Sequence, residues 1–276
     1  MTEYLAPDSL FLTNDSRHKR WAIPYHHEAL NARADILLGQ NVDCIRGKKI
    51  LDLGCHFGTF SYIAHQLGAS HITGIDSDAK LIQQAGDFFS HYQVKSTSFT
   101  FKVSDIENYL LSLEPKSFDT VFCFGLLYYL PDNYHILQLI KRIAKEAIIL
   151  DTFTAYYCAV QGKDSAQVIK SSTSETFQLP LMFHNLTQTE KTNYSLETRL
   201  DKRKVPLTFI NCPTISLLEL YFESLGFDYQ KLEWSTFLKN PHKTWQELLT
   251  PASKLASHWS DVYSSNIRVS YLLKVN

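Results

Sequence analysis

Short apolar runs alternate with amphipathic segments along residues 49–151 of the chain. Five runs are rich in β-branched, leucine or aromatic residues, as buried strands are, at 49–53, 71–75, 98–103, 118–124 and 147–150. Between them lie four segments with helical apolar spacing, at 60–67, 79–92, 106–113 and 133–145. Strands that alternate with helices in this way predict an α/β domain with a parallel, doubly wound sheet.

The alternation stops after Asp151 and resumes near Pro213. Residues 152–211 keep too many large apolar groups for a disordered linker, so we expect an insertion that covers the substrate. A capping box at Ser216 and Glu219 and a terminal Gly226 predict one further helix. Runs at 229–237 and 267–275 alternate as strands do and flank a helical excursion at 244–263. The expected fold is therefore a seven-stranded, mostly parallel sheet over residues 46–276, preceded by an N-terminal helical arm at 1–45.

Composition narrows the class of protein. With 45% hydrophobic and 20% charged residues over 276 positions, the chain is globular and not disordered. No apolar run approaches the roughly 20 residues that a membrane-spanning helix needs. The first twenty residues lack the features of a secretory signal, so we expect a cytoplasmic protein. The five cysteines have no zinc-ligand or disulfide spacing, and we expect reduced thiols and no metal site.

A glycine loop follows the first predicted strand. Gly54 and Gly58 stand between that strand, which contains Asp52, and the first predicted helix. Glycine lets the backbone approach a ligand and adopt positive φ without steric cost. The dinucleotide fingerprint needs glycine at the first, third and sixth positions, and His56 and Thr59 occupy the last two. The loop therefore predicts a ligand cradle that is not a dinucleotide fingerprint.

Acidic residues end the next two predicted strands. Asp76 follows Asp52 by 24 residues, and Asp105 follows Asp76 by 29. A carboxylate at the second position accepts both hydroxyls of a ribose, and one at the third accepts the amine of an adenine. Together these residues predict an adenosine lying across the carboxyl edge of the sheet.

Four segments between residues 49 and 151 resemble the motifs of a known enzyme family. They are ILDLGCHFGTFS, ITGIDSD, VSDIENY and FDTVFCFGLLYYL. In combination they resemble the class I S-adenosylmethionine-dependent methyltransferases. The resemblance implies a Rossmann-like methyltransferase fold, S-adenosylmethionine as cofactor and S-adenosylhomocysteine as product. It also implies a set of cofactor-binding residues: Asp52, Gly54, Cys55, His56, Gly58, Asp76, Ser77, Asp105, Ile106 and Phe124.

A narrower resemblance concerns the segments HHEALNARADILL, GLLYYL and NCPTISLLELYFESLGF. They look like the branch that contains tRNA wobble-uridine methyltransferases and carboxymethyltransferases together with small-molecule relatives. That branch usually has a Tyr-His pair after the fourth strand, where this chain has Tyr128 and Tyr129, and an aromatic or tryptophan-rich step where this chain has residues 209–212. These departures favour a small-molecule acceptor over tRNA.

The candidate catalytic residues are a small set of histidines and tyrosines. Methyl transfer needs a base only when the acceptor must lose a proton near the transition state. His56 lies inside the glycine loop, His27 lies at a helix start, and Tyr128 and Tyr129 follow the fourth strand, where this family places acceptor-facing groups. Each could instead be a packing or capping residue. The aromatic segment 21–27 could close over the site as a lid.

Charge weighs against a polyanionic partner. The net charge is −1, and residues 202–204 form the only basic triplet of the insertion. We therefore expect an enzyme that acts on a small, partly aromatic or apolar acceptor by O- or N-methylation. The alternatives are a tRNA wobble-uridine methyltransferase and a catalytically silent, cofactor-binding partner protein.

Overall fold

An N-terminal arm leads into the first helix. The computed structural model describes residues 2–12, 19–20, 23–161, 174–188, 195–197 and 204–276. Two short antiparallel strands, β1 (Lys19–Arg20) and β2 (Ile23–Pro24), precede helix α1 (His27–Leu37). The His26 ring caps α1 by accepting a hydrogen bond from the Ala29 amide. Leu30 and Ile36 of α1 belong to the same apolar core as Ile50 of the sheet, so the helix packs against the main domain.

A seven-stranded sheet forms the centre of the protein, as the sequence predicts. Its five parallel strands are β3 (Lys49–Leu53), β4 (His71–Asp76), β5 (Phe99–Val103), β6 (Phe118–Phe124) and β7 (Ala144–Phe153). In the order β5-β4-β3-β6-β7, the chain adds β4 and β5 on one side of β3 and then β6 and β7 on the other side. The strand order therefore has a switch point between β3 and β6. Ligands of open α/β sheets bind at such a switch point, outside the carboxyl ends of the strands.

Helices cover both faces of the sheet. They are α2 (Thr59–Gln66), α3 (Ala79–His91), α4 (Ile106–Ser112) and α5 (Asn133–Ile143). Successive strand residues enter different cores: Ile50 and Phe122 pack in one cluster, and Leu51 and Val121 in the other. This alternation follows from the two-residue period of a strand, and it explains why these strands are apolar at nearly every position. The predicted doubly wound α/β fold is confirmed.

The insertion after β7 adds a helix and a separate small sheet. Its described elements are α6 (Ala155–Gln161), β8 (Met182–Gln188), β9 (Ser195–Glu197) and β10 (Lys204–Pro213), with the antiparallel order β8-β10-β9. Cys158 of α6 and Cys212 of β10 form a disulfide, with 6.2 Å between their Cα atoms. The expectation that all five cysteines are reduced is therefore wrong. Spacing alone could not pair two residues that are 54 positions apart.

The C-terminal part completes the sheet. Helix α7 (Ile215–Ser224) is followed by β11 (Asp228–Lys231), α8 (Pro251–Leu255), α9 (Asp261–Ser264) and β12 (Arg268–Lys274). β12 lies antiparallel between β11 and β7. Thr214, not Ser216, caps α7 through the Leu217 amide, so the predicted capping box is wrong. Glu219 instead accepts a hydrogen bond from Tyr271. Within the described ranges, no helix has the length and apolarity to cross a membrane.

Candidate functional site

The loop between β3 and α2 requires glycine at two positions. Gly54 and Gly58 have φ angles of +66° and +83°. A Cβ added to Gly54 would lie 3.2 Å from the Leu126 side chain, and one added to Gly58 would lie 3.2 Å from Phe89 and from Phe101. Conformation and space therefore both select glycine at these two positions.

His56 has the backbone conformation of a glycine in the same loop. Its φ is +55°, in the left-handed region that costs a non-glycine residue about 1–2 kcal/mol. The His56 amide donates a 3.0 Å hydrogen bond to Asp76 Oδ2, and the ring packs 4.2 Å from the Phe57 ring. The loop thus has the backbone shape of a glycine-rich turn, although it carries an imidazole that packs on Phe57.

Asp76 ends β4 beside this loop. Its Oδ2 accepts from the His56 amide and its Oδ1 from the Asp78 amide, both at 3.0 Å. Burial raises the pKa of Asp76, although these amides and that of Ser77 act against the rise. Each carboxylate oxygen has a second lone pair, so the pair of oxygens can still accept two hydroxyl groups.

Two other predicted residues follow β5. Asp105 is exposed, and its Oδ1 caps α4 by accepting a 3.0 Å hydrogen bond from the Asn108 amide. Ile106 is buried in one of the two cores. Asp76 pairs with Val103 across β4 and β5, so Asp105 lies on the same edge of the sheet as Asp76. The structure therefore brings both acids to one edge, with Asp105 in a more open position.

A buried carboxylate lies beneath the loop. Asp52 is 3% exposed and accepts a 2.6 Å hydrogen bond from the Ser61 hydroxyl. Burial raises the pKa of Asp52 to about 7. No cation of the described residues forms an ion pair with it. Cys55 is also buried, and burial raises the pKa of its thiol, which makes it a packing group and not a nucleophile.

The tip of β6 faces an enclosed group of side chains. Gly125 has a φ of +70°, and a Cβ added there would lie 3.2 Å from Arg268 Nη2 and 3.4 Å from the Tyr128 hydroxyl. Tyr128 is 2% exposed and its ring lies 4.4 Å from that of Tyr129. Burial raises the pKa of Tyr128 well above its ordinary value. Tyr128 is therefore a neutral hydrogen-bonding group at physiological pH.

Phe124, predicted to face the cofactor, is 9% exposed and packs 5.1 Å from the Phe60 ring. It lies directly before Gly125, at the same strand end. His27, by contrast, is at the surface, where its Nε2 lies 2.9 Å from Glu3 Oε1. The structure thus places His56, Phe124 and the two tyrosines near the strand ends, and it gives His27 a surface partner.

The arm and the insertion both reach the site. The Tyr25 ring of the arm lies 5.6 Å from the rings of His56 and Phe57. From the insertion, the Tyr157 ring stacks 3.8 Å from that of Phe153 and lies 6.5 Å from that of Tyr128. Residues 21–22 of the predicted lid and residues 202–203 of the basic triplet lie outside the described residues.

Sequence reasoning missed a buried ion cluster in which Asp151 contacts both Arg33 and Arg268. We call these two arginines the arginine pair, and Asp151 is their shared acid. Asp151 Oδ2 lies 2.9 Å from Arg33 Nη2 and 2.8 Å from Arg268 Nη2. All three residues are at most 4% exposed. Burial alone would raise the pKa of Asp151, but the two guanidiniums outweigh it and hold the pKa below its usual value. The only signal in the sequence was an acid at the end of the fifth strand.

Comparison with known proteins identifies the family. Residues 46–200, more than half of the chain, match a family model described as a methyltransferase domain. The chain belongs to this family. The expected assignment as a class I S-adenosylmethionine-dependent methyltransferase is confirmed. A solved S-adenosylmethionine-dependent methyltransferase from Mesorhizobium loti has the same fold, with a TM-score of 0.53 and 16% identity over 88% of this chain and 97% of that one.

Two curated relatives of this methyltransferase differ in their acceptors. A tRNA U34 carboxymethyltransferase from Nautilia profundicola is 33% identical over 115 residues, which cover 39% of this chain and 35% of that protein. A ubiquinone biosynthesis O-methyltransferase from Actinobacillus pleuropneumoniae is 27% identical over 134 residues, which cover 45% of this chain and 56% of that protein. The similarity thus covers less than two thirds of either relative, and it leaves the acceptor open.

Proposed function

We propose that this methyltransferase transfers a methyl group from S-adenosylmethionine to the oxygen or nitrogen of a small-molecule acceptor. The observation that carries the proposal is the enclosure of the β6 tip. Gly125 faces Tyr128 and Arg268, which are each 2% exposed, and Phe153 behind them is fully buried. An acceptor in such a setting is surrounded by protein, which suits a small molecule better than a nucleic acid.

The residues around the glycine loop fit the cofactor. Asp76 would hold the ribose hydroxyls, Asp105 and Ile106 would frame the adenine, and the backbone at Gly54 and Gly58 would accept the methionine part. Cys55, Ser77 and Phe124 would line the same site. Asp52 is a buried carboxylate that has Ser61 but no cation among its described hydrogen-bond partners, which fits the cofactor's ammonium group.

The bound cofactor supplies an activated methyl group on a sulfonium. The protein's own contribution is to position the acceptor and exclude water. Tyr128 would donate to or accept from the acceptor through its neutral hydroxyl, and Tyr129 packs beside it. If the acceptor must lose a proton, His56 is the better of the two candidate bases, because His27 pairs with Glu3 at the surface.

Tyrosine variants test the position of the acceptor. We expect Tyr128→Phe to lower kcat while the affinity for S-adenosylhomocysteine stays within about twofold, because the lost hydroxyl acts on the acceptor. Tyr129→Phe is the matched variant one residue away. Loss of cofactor affinity in both variants, or unchanged turnover in both, would contradict this placement.

The tRNA U34 relative provides the second candidate function. To separate the two, S-adenosylmethionine with an isotope-labelled methyl group is incubated with the protein and either bulk tRNA or a small-molecule extract. We expect the label to appear in the small molecules. We also expect tRNA binding to disappear at moderate salt, because few clustered cationic side chains are present to displace counterions from the tRNA. A tRNA complex that persists at physiological ionic strength, with label in the tRNA, would favour wobble-base modification.

A further inference from the structure

The arginine pair carries more positive charge than its partner neutralises. Asp151 is the one carboxylate that Arg33 or Arg268 contacts within the described part of the chain. Two guanidiniums and one carboxylate leave one net positive charge, and all three side chains are buried. Proteins rarely bury a charge without a partner, because its desolvation costs several kcal/mol. The surplus charge therefore calls for an anion.

Buried donors without acceptors lie in the same cluster. Neither Arg33 Nε nor the Tyr263 hydroxyl forms a hydrogen bond of good geometry with a described residue, although Arg33 lies close enough to Tyr263 to act on its pKa as a hydrogen-bond donor. Arg33 is 4% and Tyr263 is 7% exposed. Burial raises the pKa of Tyr263, although both guanidiniums act against the rise, so the hydroxyl keeps its proton. An arginine Nε is a donor only, and an unsatisfied buried donor is costly. If the Tyr263 oxygen accepts from Arg33, the Tyr263 proton still lacks an acceptor, so the cluster is short of at least one acceptor atom.

The surplus charge lies next to the proposed acceptor. Arg268 Nη2 would be 3.2 Å from a Cβ on Gly125, and the Tyr128 hydroxyl would be 3.4 Å from it. Burial raises the pKa of Tyr25, whose ring lies 5.6 Å from that of His56 in the glycine loop, while Arg33 and Arg268 lower it and Asp52 and Asp76 raise it. The cluster thus lies beside the cofactor site and is not a remote structural ion pair. Because Asp52 and Asp76 are assigned to the ammonium and ribose of the cofactor, they do not neutralise the surplus charge of the two arginines.

We propose that the acceptor carries an acid group, a carboxylate or a phosphate, which the guanidiniums of Arg268 and Arg33 bind beside the β6 tip. The inference rests on the proposed function and names its substrate class. Guanidinium and carboxylate or phosphate match in charge and in planar, two-point hydrogen bonding. The acid group is the anchor and not the methylated atom, because its oxygen lone pairs are engaged by the arginines. The product therefore keeps its negative charge.

One experiment uses the labelled products. Labelled small molecules from the extract are passed over an anion exchanger at pH 7, before and after phosphatase treatment. We expect the label to be retained, and loss of retention after phosphatase identifies a phosphate and not a carboxylate. If the labelled small molecules passed through the anion exchanger without retention before any phosphatase treatment, the acceptor would have no acid group. That result would overturn this inference and leave the proposed function intact. Label in tRNA would instead overturn the proposed function.

A binding experiment removes the dependence on turnover. Benzoate, benzamide and inorganic phosphate are titrated into wild-type protein saturated with S-adenosylhomocysteine, and into Arg268→Gln. This variant removes the surplus charge and leaves Arg33 paired with Asp151, so it should fold. Arg46→Gln, at an exposed arginine, is the matched control.

We expect at least one of the two anions to bind wild type and the Arg46 variant, and to bind Arg268→Gln about 10- to 100-fold more weakly. Benzamide, which has the shape of benzoate without its charge, should bind all three weakly. Affinity for S-adenosylhomocysteine should stay within about twofold throughout. Equal anion affinity in wild type and Arg268→Gln, no anion binding to wild type, or a parallel loss of cofactor affinity would overturn the proposal.

Discussion

The two halves of the site have opposite electrostatics although they share one sheet edge. Around the glycine loop, Asp52 is a buried and Asp76 a half-buried carboxylate, neither has an ion-pair partner among the described residues, and burial raises the pKa of each. At the other half, Asp151 is equally buried, but two guanidiniums hold its pKa low. One half is short of cations and the other is short of anions. A ligand set with a cationic part and an anionic part would satisfy both.

The largest expected effect concerns the acid of the arginine pair. We expect Asp151→Asn to lower the free energy of unfolding by about 3–5 kcal/mol at pH 7, because two buried guanidiniums lose their carboxylate. The pKa of Asp151 is lowered in the folded state, so its contribution is present at neutral pH and is lost as the pH falls through that pKa. The difference between variant and wild type in urea denaturation should therefore shrink on acidification.

Asp119→Asn is the control for this measurement. Asp119 Oδ1 lies 2.9 Å from Lys145 Nζ, and the lysine side chain is 41% exposed. Asp119 is 16% exposed, and its Oδ2 accepts a 2.7 Å hydrogen bond from the Lys49 amide, which an asparagine oxygen can still accept. An ion pair with an exposed partner contributes about 0–1 kcal/mol, so the loss should be small. If both variants lost the same amount, the arginine pair would not depend on Asp151 as a buried counterion.

The cofactor half should respond in the opposite direction. Asp52 has a folded-state pKa of about 7 against an unfolded value near 4, so its ionisation disfavours the fold increasingly as the pH rises to 7. We expect Asp52→Asn to be more stable than wild type by roughly 3–4 kcal/mol at pH 8 and by roughly 2 kcal/mol at pH 5.5. Its affinity for S-adenosylhomocysteine should fall, because the ammonium loses its counterion.

Asp87→Asn, at an exposed carboxylate of α3, is the control. It should show no stability gain that grows with pH in urea denaturation. If Asp52→Asn were less stable than wild type at every pH, the Asp52 carboxylate would stabilise the fold through its hydrogen bond from Ser61. It would then not be a destabilising buried charge kept for the ammonium of the cofactor.

The two halves also differ in how far the sequence predicts them. The cofactor half is built from residues that directly follow consecutive strands, so Gly54, Gly58 and Asp76 can be found from pattern and spacing alone. A simple glycine pattern does not identify His56, because the hydrogen bond from the His56 amide to Asp76 lets a non-glycine residue keep a positive φ. The local pattern gives the role of the loop but not this substitution.

The arginine pair has no local pattern. Arg33 and Arg268 lie 118 and 117 residues from Asp151, and they meet only because α1 packs on the sheet and β12 pairs with β7. The same holds for the Cys158–Cys212 disulfide, which requires α6 and β10 to meet. Tertiary contacts of this kind carry no signal in a single sequence, whereas strand-end motifs do.

The smallest expected effect compares the two acids that would hold the adenosine. We expect Asp76→Ala to weaken S-adenosylhomocysteine binding by about 2 kcal/mol, because the half-buried carboxylate would accept hydrogen bonds from both ribose hydroxyls. Asp105→Ala should weaken S-adenosylhomocysteine binding by about 1 kcal/mol, since water competes with the adenine for hydrogen bonds to this exposed carboxylate. Calorimetry measures both values.

Each of these acids also has a structural role, and the controls must separate it from binding. Asp105 caps α4 just as Asp132 caps α5, through the His135 amide, so Asp132→Ala gives the stability cost of a lost cap, about 1 kcal/mol, without touching the cofactor. For Asp76, Asp76→Asn keeps one carbonyl oxygen for the loop amides. If Asp76→Ala bound S-adenosylhomocysteine as wild type does, Asp76 would serve only to hold His56 in its strained conformation, and the ribose would bind elsewhere.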